Sequence, residues 1–506
     1  MIDSDLLMKI DKDSEEPIYR QLIRHIKGQI ESGTLGPGVR LPASRDLAQM
    51  LNISRISVVN AYAELRATGY LSARAGRGTF VNGAIDSGMP QMSSNGTRHN
   101  GNGQTDKLQV YAPNDRSLRE LMRVACKPGV INFSQGAPPL EFFPVHHLRE
   151  ALNFTLDRDG SKALAYEAPE GYYPLRVAVQ EYVSALGIRC SAEQVLITGG
   201  TQQALDLVMQ TVLSEGDILA TESPTYLGVI DLARTRRQQI LSVPIDEDGI
   251  RLDILENYLI DHPIRMIYVM PNFQNPTGTV MPLHRRRQLL SLAHQYGVPV
   301  LEDGVYQELR FEGETLPPLK ALDEYGIVLH ASGFTKNLMP GMRIGYVIAN
   351  NAHYERLVRV KAIADISSPG LNQRAIHLLL ERGILARQLE RNNRELRRRR
   401  DVALMAAARH LPQGTTWNIP SGGLYLWIKL PEDGPSAAEL YISAVEAGVA
   451  YAIGSVFYPD GAGSYHLRIN FGTYKPQDIE EGFRRLGRAW RDLAQDYAGM
   501  EKAHLL

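Results

Sequence analysis

The sequence predicts an α/β protein with a small helical module in front of it, and three observations carry that expectation. Short apolar runs, Val195-Leu196-Ile197, Val298-Pro299-Val300-Leu301 and Ile327-Val328-Leu329, each end in a cluster of small and polar residues. Strands of open α/β sheets end this way where their carboxyl edge forms a ligand crevice. Leu205, Val208 and Val212 follow the first run at helical spacing. The N-terminal stretch carries two short helical patterns joined by a tight turn, and a stretch rich in Gly, Asn and Ser separates it from the rest.

Taken in order, Pro17 suits a first helical turn, and Ile18, Leu22, Ile26 and Ile30 recur at helical spacing until Gly33. Gly36-Pro37-Gly38 makes a turn before Leu41-Pro42. Ser44 caps a short helix through Leu51, and Asn52-Ile53-Ser54 turns the chain into another, with Val58, Tyr62 and Leu65 on one face and Gly69 at its end. Tyr70-Leu71-Ser72 and Gly78-Thr79-Phe80-Val81 read as two short strands around a basic tip, Arg74-Ala75-Gly76-Arg77. Between Pro17 and Gly83 nine basic residues stand against three acidic ones, a net charge of +6, so the remainder of a chain of net charge −1 carries −7. A basic module on a mildly acidic body is the electrostatic footprint of a nucleic-acid reader attached to something else.

The stretch from Asn82 to Lys107 has almost nothing to bury and is expected to be a flexible linker. As a coil its root-mean-square span is about 28 Å. Ser117 to Arg123 reads as a short helix, and Val130 opens the main body, whose large subdomain is expected to run to about Asn350. A long basic helix from Ala386 to Arg409 contains Arg397-Arg398-Arg399-Arg400, a run expected to form a solvated face. Pro420-Ser421-Gly422-Gly423 leads an apolar strand from Leu424 to Leu430, and an amphipathic helix from Pro476 to Ala494 follows. The expected domains are 1–82, a linker at 83–112, and 113–506.

Composition excludes several classes. A length of 506 residues, 44% hydrophobic and 22% charged, suits an ordinary globular protein of several domains. Uninterrupted apolar runs long enough for a membrane span are absent, and Met1-Ile2-Asp3-Ser4-Asp5 lacks the regions of a signal peptide, so a cytoplasmic protein is expected. Cys126 and Cys190 are too few for a disulfide framework or a zinc site, and no metal is expected.

The chemistry centres on Lys336, in His330–Tyr346, at the end of an apolar strand and before a glycine-bounded turn. A lone lysine is ordinarily a solvated charge. Here Asn275-Pro276-Thr277-Gly278, Glu302-Asp303-Gly304-Val305-Tyr306 and Gly199-Gly200-Thr201-Gln202-Gln203 accompany it. An aldehyde cofactor needs a lysine for its carbonyl carbon, an acid at its pyridinium nitrogen, donors to its phenolate and a cradle for its phosphate. The set looks like a pyridoxal-phosphate site, and from Val130 to Arg488 the order and spacing of the motifs resemble the fold-type I aminotransferases. That resemblance implies a large, mostly parallel sheet with helices on both faces and a small α+β subdomain.

By the same resemblance, Lys336 forms the internal aldimine, Asp303 keeps the pyridine nitrogen protonated, and Tyr306 and Asn275 donate to the ring oxygen. Arg343 binds the phosphate with the backbone of Gly200, Thr201 and Gln202, and Tyr226 stacks on the ring. Tyr166 resembles the tyrosine supplied to the phosphate by the neighbouring subunit, which implies a homodimer. Arg468 matches the arginine that clamps an amino-acid carboxylate, and Gly136 lies in the loop that closes over the substrate. The family usually has serine or threonine three residues before the lysine; Gly333 stands there, and Ser332 or Thr335 is the expected replacement for that phosphate contact.

Glu16 to Asn82, with Leu41-Pro42-Ala43-Ser44-Arg45 and Ser54-Arg55, resembles the winged helix-turn-helix of the GntR family. The resemblance implies that Arg45 and Arg55 reach phosphates or base edges, that Arg77 on the wing reaches the minor groove, and that Ser57 contacts a phosphate. The fusion resembles the MocR subfamily of bacterial regulators. It implies a regulator that binds operator DNA and responds through pyridoxal 5'-phosphate to an amino compound. A working aminotransferase with a secondary DNA-binding module is the competing expectation, and a sensor of the cofactor itself is a third; Arg468 speaks against the last.

Overall fold

The computed structural model describes residues 10–11, 18–31, 34–36, 39–51, 53–67, 70–74, 78–81 and 129–504. The expected linker with its boundaries, the Ser117–Arg123 helix, Arg77 and Cys126 lie outside the described residues. The chain divides into two units, Met1–Val124 and Ala125–Leu506.

In the first unit the described elements run α1 (Ile18–Glu31), β1 (Arg40–Leu41), α2 (Ser44–Leu51), α3 (Arg55–Ala67), β2 (Leu71–Arg74) and β3 (Gly78–Val81). The helical spacing read from the sequence becomes its core: Leu22 and Ile26 of α1 meet Leu47 of α2 and Val58, Tyr62 and Leu65 of α3. Ser54 caps α3, its Oγ accepting from the Ser57 N–H at 3.1 Å. The strands form an antiparallel sheet in the order β1-β3-β2. Strand β1 was not foreseen, because two residues before a proline give no alternation to read; it is defined only by its partners, Arg40 opposite Phe80 and Leu41 opposite Thr79.

In the second unit the strands are β4 (Ile131–Asn132), β5 (Val195–Thr198), β6 (Ile218–Ser223), β7 (Gln239–Asp246), β8 (Gly249–Ile250), β9 (Ile264–Val269), β10 (Val300–Asp303), β11 (Val328–Gly333) and β12 (Gly345–Ile348). After them come β13 (Thr416–Trp417), β14 (Tyr425–Lys429), β15 (Val449–Ala450), β16 (Ala452–Ile453) and β17 (His466–Asn470). Eight of them form one sheet, β5-β12-β11-β10-β9-β6-β7-β8. Neighbours from β11 through β7 run parallel, whereas β12 runs antiparallel to both β5 and β11. Strands β5, β10, β11 and β12 are buried along their whole length, which is why they read as continuous apolar runs.

Helices cover both faces. On one, Leu175, Val179 and Val183 of α5 (Tyr173–Ser184) pack with Ile197, Tyr346 and with Ile376 and Leu379 of a later helix, Gly370–Glu381. On the other, Leu205 and Val208 of α6 (Thr201–Val212) pack with Ala331, Val347 and Leu357. We number the remaining helices used below α4 (Val145–Asp159), α7 (Asn351–Asp365), α8 (Gly370–Glu381), α9 (Ile384–His410) and α10 (Pro476–His504). The large subdomain therefore does not stop near Asn350 as expected: α7 and α8 close its two faces.

The small subdomain holds a four-stranded sheet, β13-β14-β17-β16. The start of the body belongs with it, since β4 pairs in parallel with β15 and Phe133 packs on Phe483 of α10. The four-arginine run in α9 is a second correction. Successive helix residues are about 100° apart, so four in a row cannot share one face. Arg397 and Arg398 are exposed, but Arg399 and Arg400 are buried. Arg400 forks onto Glu312 at 2.6 and 2.8 Å and onto the Pro420 carbonyl, while Arg399 reaches Glu141 at 2.6 Å. Among the described residues no helix is long and apolar enough to cross a membrane.

Candidate functional site

Segments leaving the carboxyl ends of β5, β6, β9, β10 and β11 enclose a cavity of about 270 Å³. It gathers Gly136, Thr201, Gln202, Tyr226, Asn275, Asp303, Tyr306, Thr335, Lys336, Arg343 and Arg468, residues spread over more than 300 positions of sequence. Lys336 donates to the Gly136 carbonyl at 2.5 Å. Burial pulls its ammonium below the usual lysine range, the direction that makes an amine nucleophilic.

Asp303 closes the floor at the end of β10. It accepts from the Tyr268 hydroxyl at 3.0 Å and from the Val305 N–H at 3.2 Å. Burial raises its carboxyl to about 6, so the site favours a cationic partner above it. Behind it Glu222 accepts from the Met270 N–H at 3.1 Å and from Gln274, and burial pushes this acid up to about 8.

The small subdomain supplies the opposite wall. Tyr425 of β14 and Tyr306 share a hydrogen bond of 2.8 Å. Burial alone would push the Tyr425 phenol up, but the Arg468 and Lys336 cations and the Tyr306 hydroxyl hold it below its usual value. Arg468 of β17 lies over the Tyr425 ring at 4.1 Å and the Phe457 ring at 4.8 Å. Its Nη1 donates to Asn275 Oδ1 at 2.7 Å and its Nη2 to the Ser134 carbonyl at 2.8 Å. The first bond orients the Asn275 amide, leaving Nδ2 as a donor for the cavity.

The remaining end is built for an anion. Gly200 has φ +104° and leads into the first turn of α6, whose N–H groups have no carbonyl one turn earlier. A Cβ on Gly200 would lie 2.7 Å from Arg343 Nη2, so the glycine makes room for the guanidinium. Arg343 itself holds a left-handed φ of +52°. The buried Thr201 Oγ1 has no hydrogen-bond partner among the described residues. Gln202 accepts from the Tyr226 hydroxyl at 3.0 Å.

Two expected residues are not brought in. Ser332 does not line the cavity: alternation along β11 turns it to the opposite face, beside its cross-strand partner Tyr346. A side chain at Gly333 would meet Gly345 Cα at 2.8 Å and Thr201 Oγ1 at 3.0 Å, so the hydroxyl next to this corner comes from α6. Thr335 does line the cavity. Tyr166 lies outside it and is 83% exposed. Sequence reasoning missed Tyr268, Glu222 and Tyr425. Tyr425 sat inside an apolar strand, where only the period of two beside Trp427 and a neighbouring glycine pair could have marked it.

In the N-terminal unit, Arg45 lies in the first turn of α2 and Arg55 begins α3; their side chains lie outside the described residues. The Ser57 hydroxyl is 2.8 Å from Ser54 Oγ and so is engaged in the cap of α3.

Residues 128–486 match the family model of aminotransferase class I and II, and residues 18–81 that of bacterial regulatory proteins of the gntR family. An uncharacterized HTH-type transcriptional regulator of Bacillus subtilis, YdfD, is 30% identical over 94% of this chain and 97% of its own length. The probable rhizopine catabolism regulatory protein MocR of Rhizobium meliloti is 29% identical over 83% of each chain. The chain belongs to the MocR subfamily of GntR regulators. This MocR chain is thus a pyridoxal-phosphate-dependent DNA-binding transcription regulator by family. Its body is similar to the crystal structure of the α-aminoadipate aminotransferase LysN of Thermus thermophilus, complexed with N-(5'-phosphopyridoxyl)-L-leucine. The TM-score is 0.70 at 39% identity, over 74% of this chain and 95% of that one. The donor set fits the family's cofactor: a buried amine, an acid on the floor, two linked phenols, and an anion end with an unpartnered hydroxyl.

Proposed function

We propose that this MocR chain works as a homodimer in the cytoplasm and reports an amino compound bearing a carboxylate to its DNA-reading module. The observation that carries the reading is a cavity gathering Lys336, Asp303, Arg343 and Arg468 in the same chain as a gntR-type helix-turn-helix. The cofactor, when bound, supplies an electrophilic carbon and an electron-withdrawing ring. Lys336 would be the amine that holds that carbon, and once released it could carry a proton. Asp303 would hold the ring nitrogen and keep its proton in place. Tyr306 and the Asn275 amide would donate to the ring oxygen, with Tyr425 ordering the phenols. Tyr226 would cover the ring. Arg343, Thr201, Thr335 and the first turn of α6 hold the phosphate. Arg468 takes the effector's carboxylate by giving up its bond to Asn275, and Gly136 leaves room for the effector beside Lys336.

The dimer reading rests on Tyr166, which resembles the tyrosine the family supplies from the neighbouring subunit and which is 83% exposed outside the cavity. Tyr166 would then serve the partner's phosphate site. Arg45, Arg55 and Arg77 would read the operator, with Ser57 holding the cap of α3. An effector that favours one arrangement of the body tenfold supplies about 1.4 kcal/mol to bias the paired readers.

A second reading, an active aminotransferase, is favoured by the likeness to LysN and by the intact lysine, acid and arginine. The deciding experiment titrates the full chain onto its own upstream DNA with and without pyridoxal phosphate, and repeats it with Lys336→Ala. Specific, salt-dependent binding that shifts with cofactor only in the wild type supports the regulator. Absence of any specific site, together with turnover of an amino acid and a keto acid through both half-reactions, would replace it with the enzyme.

A further inference from the structure

We infer that a second cavity, behind the lysine loop, is a binding site for an organic ammonium ion with an apolar body. The cavity measures about 800 Å³ and lies between α5, α8 and the start of α9. It shares no lining residue with the cofactor cavity, and its volume falls in the range of small-molecule sites. Its walls are apolar, with Val177, Leu186, Leu380, Leu385 and Leu389 among them.

Its polar content has one sign. Glu181, Glu308 and Glu381 line it, and the lining residues include no lysine or arginine. Glu308 is partly buried, and Glu181 and Glu381 are exposed. Glu308 Oε2 accepts from Asn337 Nδ2 at 2.8 Å, and no cation among the described residues pairs with it. Burial therefore pushes its carboxyl up to about 7. The groups that face it from the surrounding elements are Tyr182 and Glu181 of α5, His377 and Glu381 of α8, Tyr346 of β12 and Asn337. None is a cation at neutral pH, since burial also lowers His377.

Two more atoms are buried without a hydrogen bond among the described residues: His377 Nδ1, on the cavity wall, and Asn337 Oδ1, on the residue that donates to Glu308. Three carboxylates exclude an anion. A neutral apolar guest would leave the Glu308 carboxylate facing the cavity without a cation, and a buried polar group left unmatched is costly. An ammonium ion can donate to it, while its carbon body fills the apolar walls. The site stands apart from the cofactor reading and survives or fails without it.

The test uses N,N-dimethylbenzylamine, a protonated tertiary amine that cannot condense with the cofactor's aldehyde. It is titrated calorimetrically into the full chain saturated with pyridoxal phosphate. The expected result is one site per chain, at least tenfold weaker in Glu308→Gln and lost in Ala178→Trp, which fills the cavity. The uncharged benzyl alcohol should bind at least tenfold more weakly than the amine. Affinity for the amine should rise between about pH 6 and 8 as Glu308 loses its proton. Unchanged cofactor affinity in both variants shows that they fold. Lack of binding at millimolar amine, or equal binding by Glu308→Gln or by benzyl alcohol, overturns the assignment.

Discussion

Replacing Arg343 by alanine should weaken the phosphate-bearing cofactor and leave its dephosphorylated form nearly untouched. The guanidinium lies against Gly200 at the start of α6, and the backbone holds φ at +52° to put it there. A left-handed residue with a Cβ costs about 1–2 kcal/mol. A hydrogen bond to a charged group contributes about 1.5–3 kcal/mol. Arg343 is exposed, so screening leaves the lower part of that range. The expected loss of roughly 1.5–2 kcal/mol is a tenfold to thirtyfold rise in Kd. Apo protein would be titrated with pyridoxal phosphate and with pyridoxal, following the visible absorbance, and the ratio of the two Kd values compared between wild type and variant. The ratio isolates the phosphate from everything Lys336 and Asp303 do. Arg343→Gly should match alanine in that ratio yet be more stable by about 1 kcal/mol, because glycine adopts the left-handed region freely. If both ligands weaken equally, or neither changes, the anion end has been assigned to the wrong residue.

The four arginines of α9 should separate in urea denaturation: Arg400→Ala should cost about 2 kcal/mol, since it removes a buried side chain and the donor to the Pro420 carbonyl while Glu312 keeps Arg397, and Arg398→Ala less than about 0.5 kcal/mol. Buried carboxyls with raised pKa values bind protons in the folded chain that the unfolded chain has already released, so they stabilise at low pH and that stability is lost as pH rises through the folded pKa. For Glu222 the window runs from 4.5 to about 8, and apo protein should lose up to about 1.4 kcal/mol per pH unit across it. In Glu222→Gln the slope between about pH 6 and 8 should flatten. Arg468→Gln should keep its affinity for pyridoxal phosphate while the spectral response to amino acids falls about thirtyfold or more and the response to decarboxylated amines persists.

Much of the candidate cavity was legible because the chemistry proposed for it demands unusual side chains at strand ends. Lys336, Asp303 and Arg343 announce themselves once three apolar runs are seen to stop in polar clusters. What escaped depends on direction rather than identity. Ser332 and Gly333 are neighbours in sequence, yet the pleat sends one toward Tyr346 and the other toward Thr201. A tyrosine in an apolar strand looks like core, and Tyr425 is core as well as cavity wall. The arginine run failed for a similar reason: composition shows the charges, but only Glu141 and Glu312, far away in sequence, reveal that half of them turn inward. The end of the large subdomain was misplaced because amphipathic helices do not say which sheet they will cover.

Lys336 and Arg343 sit on one turn, between antiparallel neighbours that close on the pair Gly333 and Gly345. That turn acts as a caliper. On the proposed reading, its span would set the distance between the grip on the carbonyl carbon and the grip on the phosphate. Arg468 and Tyr425 belong to another sheet and hydrogen-bond to this framework through Asn275, Tyr306 and the loop before Gly136. Should the small subdomain shift, Lys336 and Arg343 would stay at one setting, and Arg468, the proposed carboxylate clamp, would be the jaw that travels. A single residue inserted between 337 and 342 would spoil the setting without touching any side chain that binds.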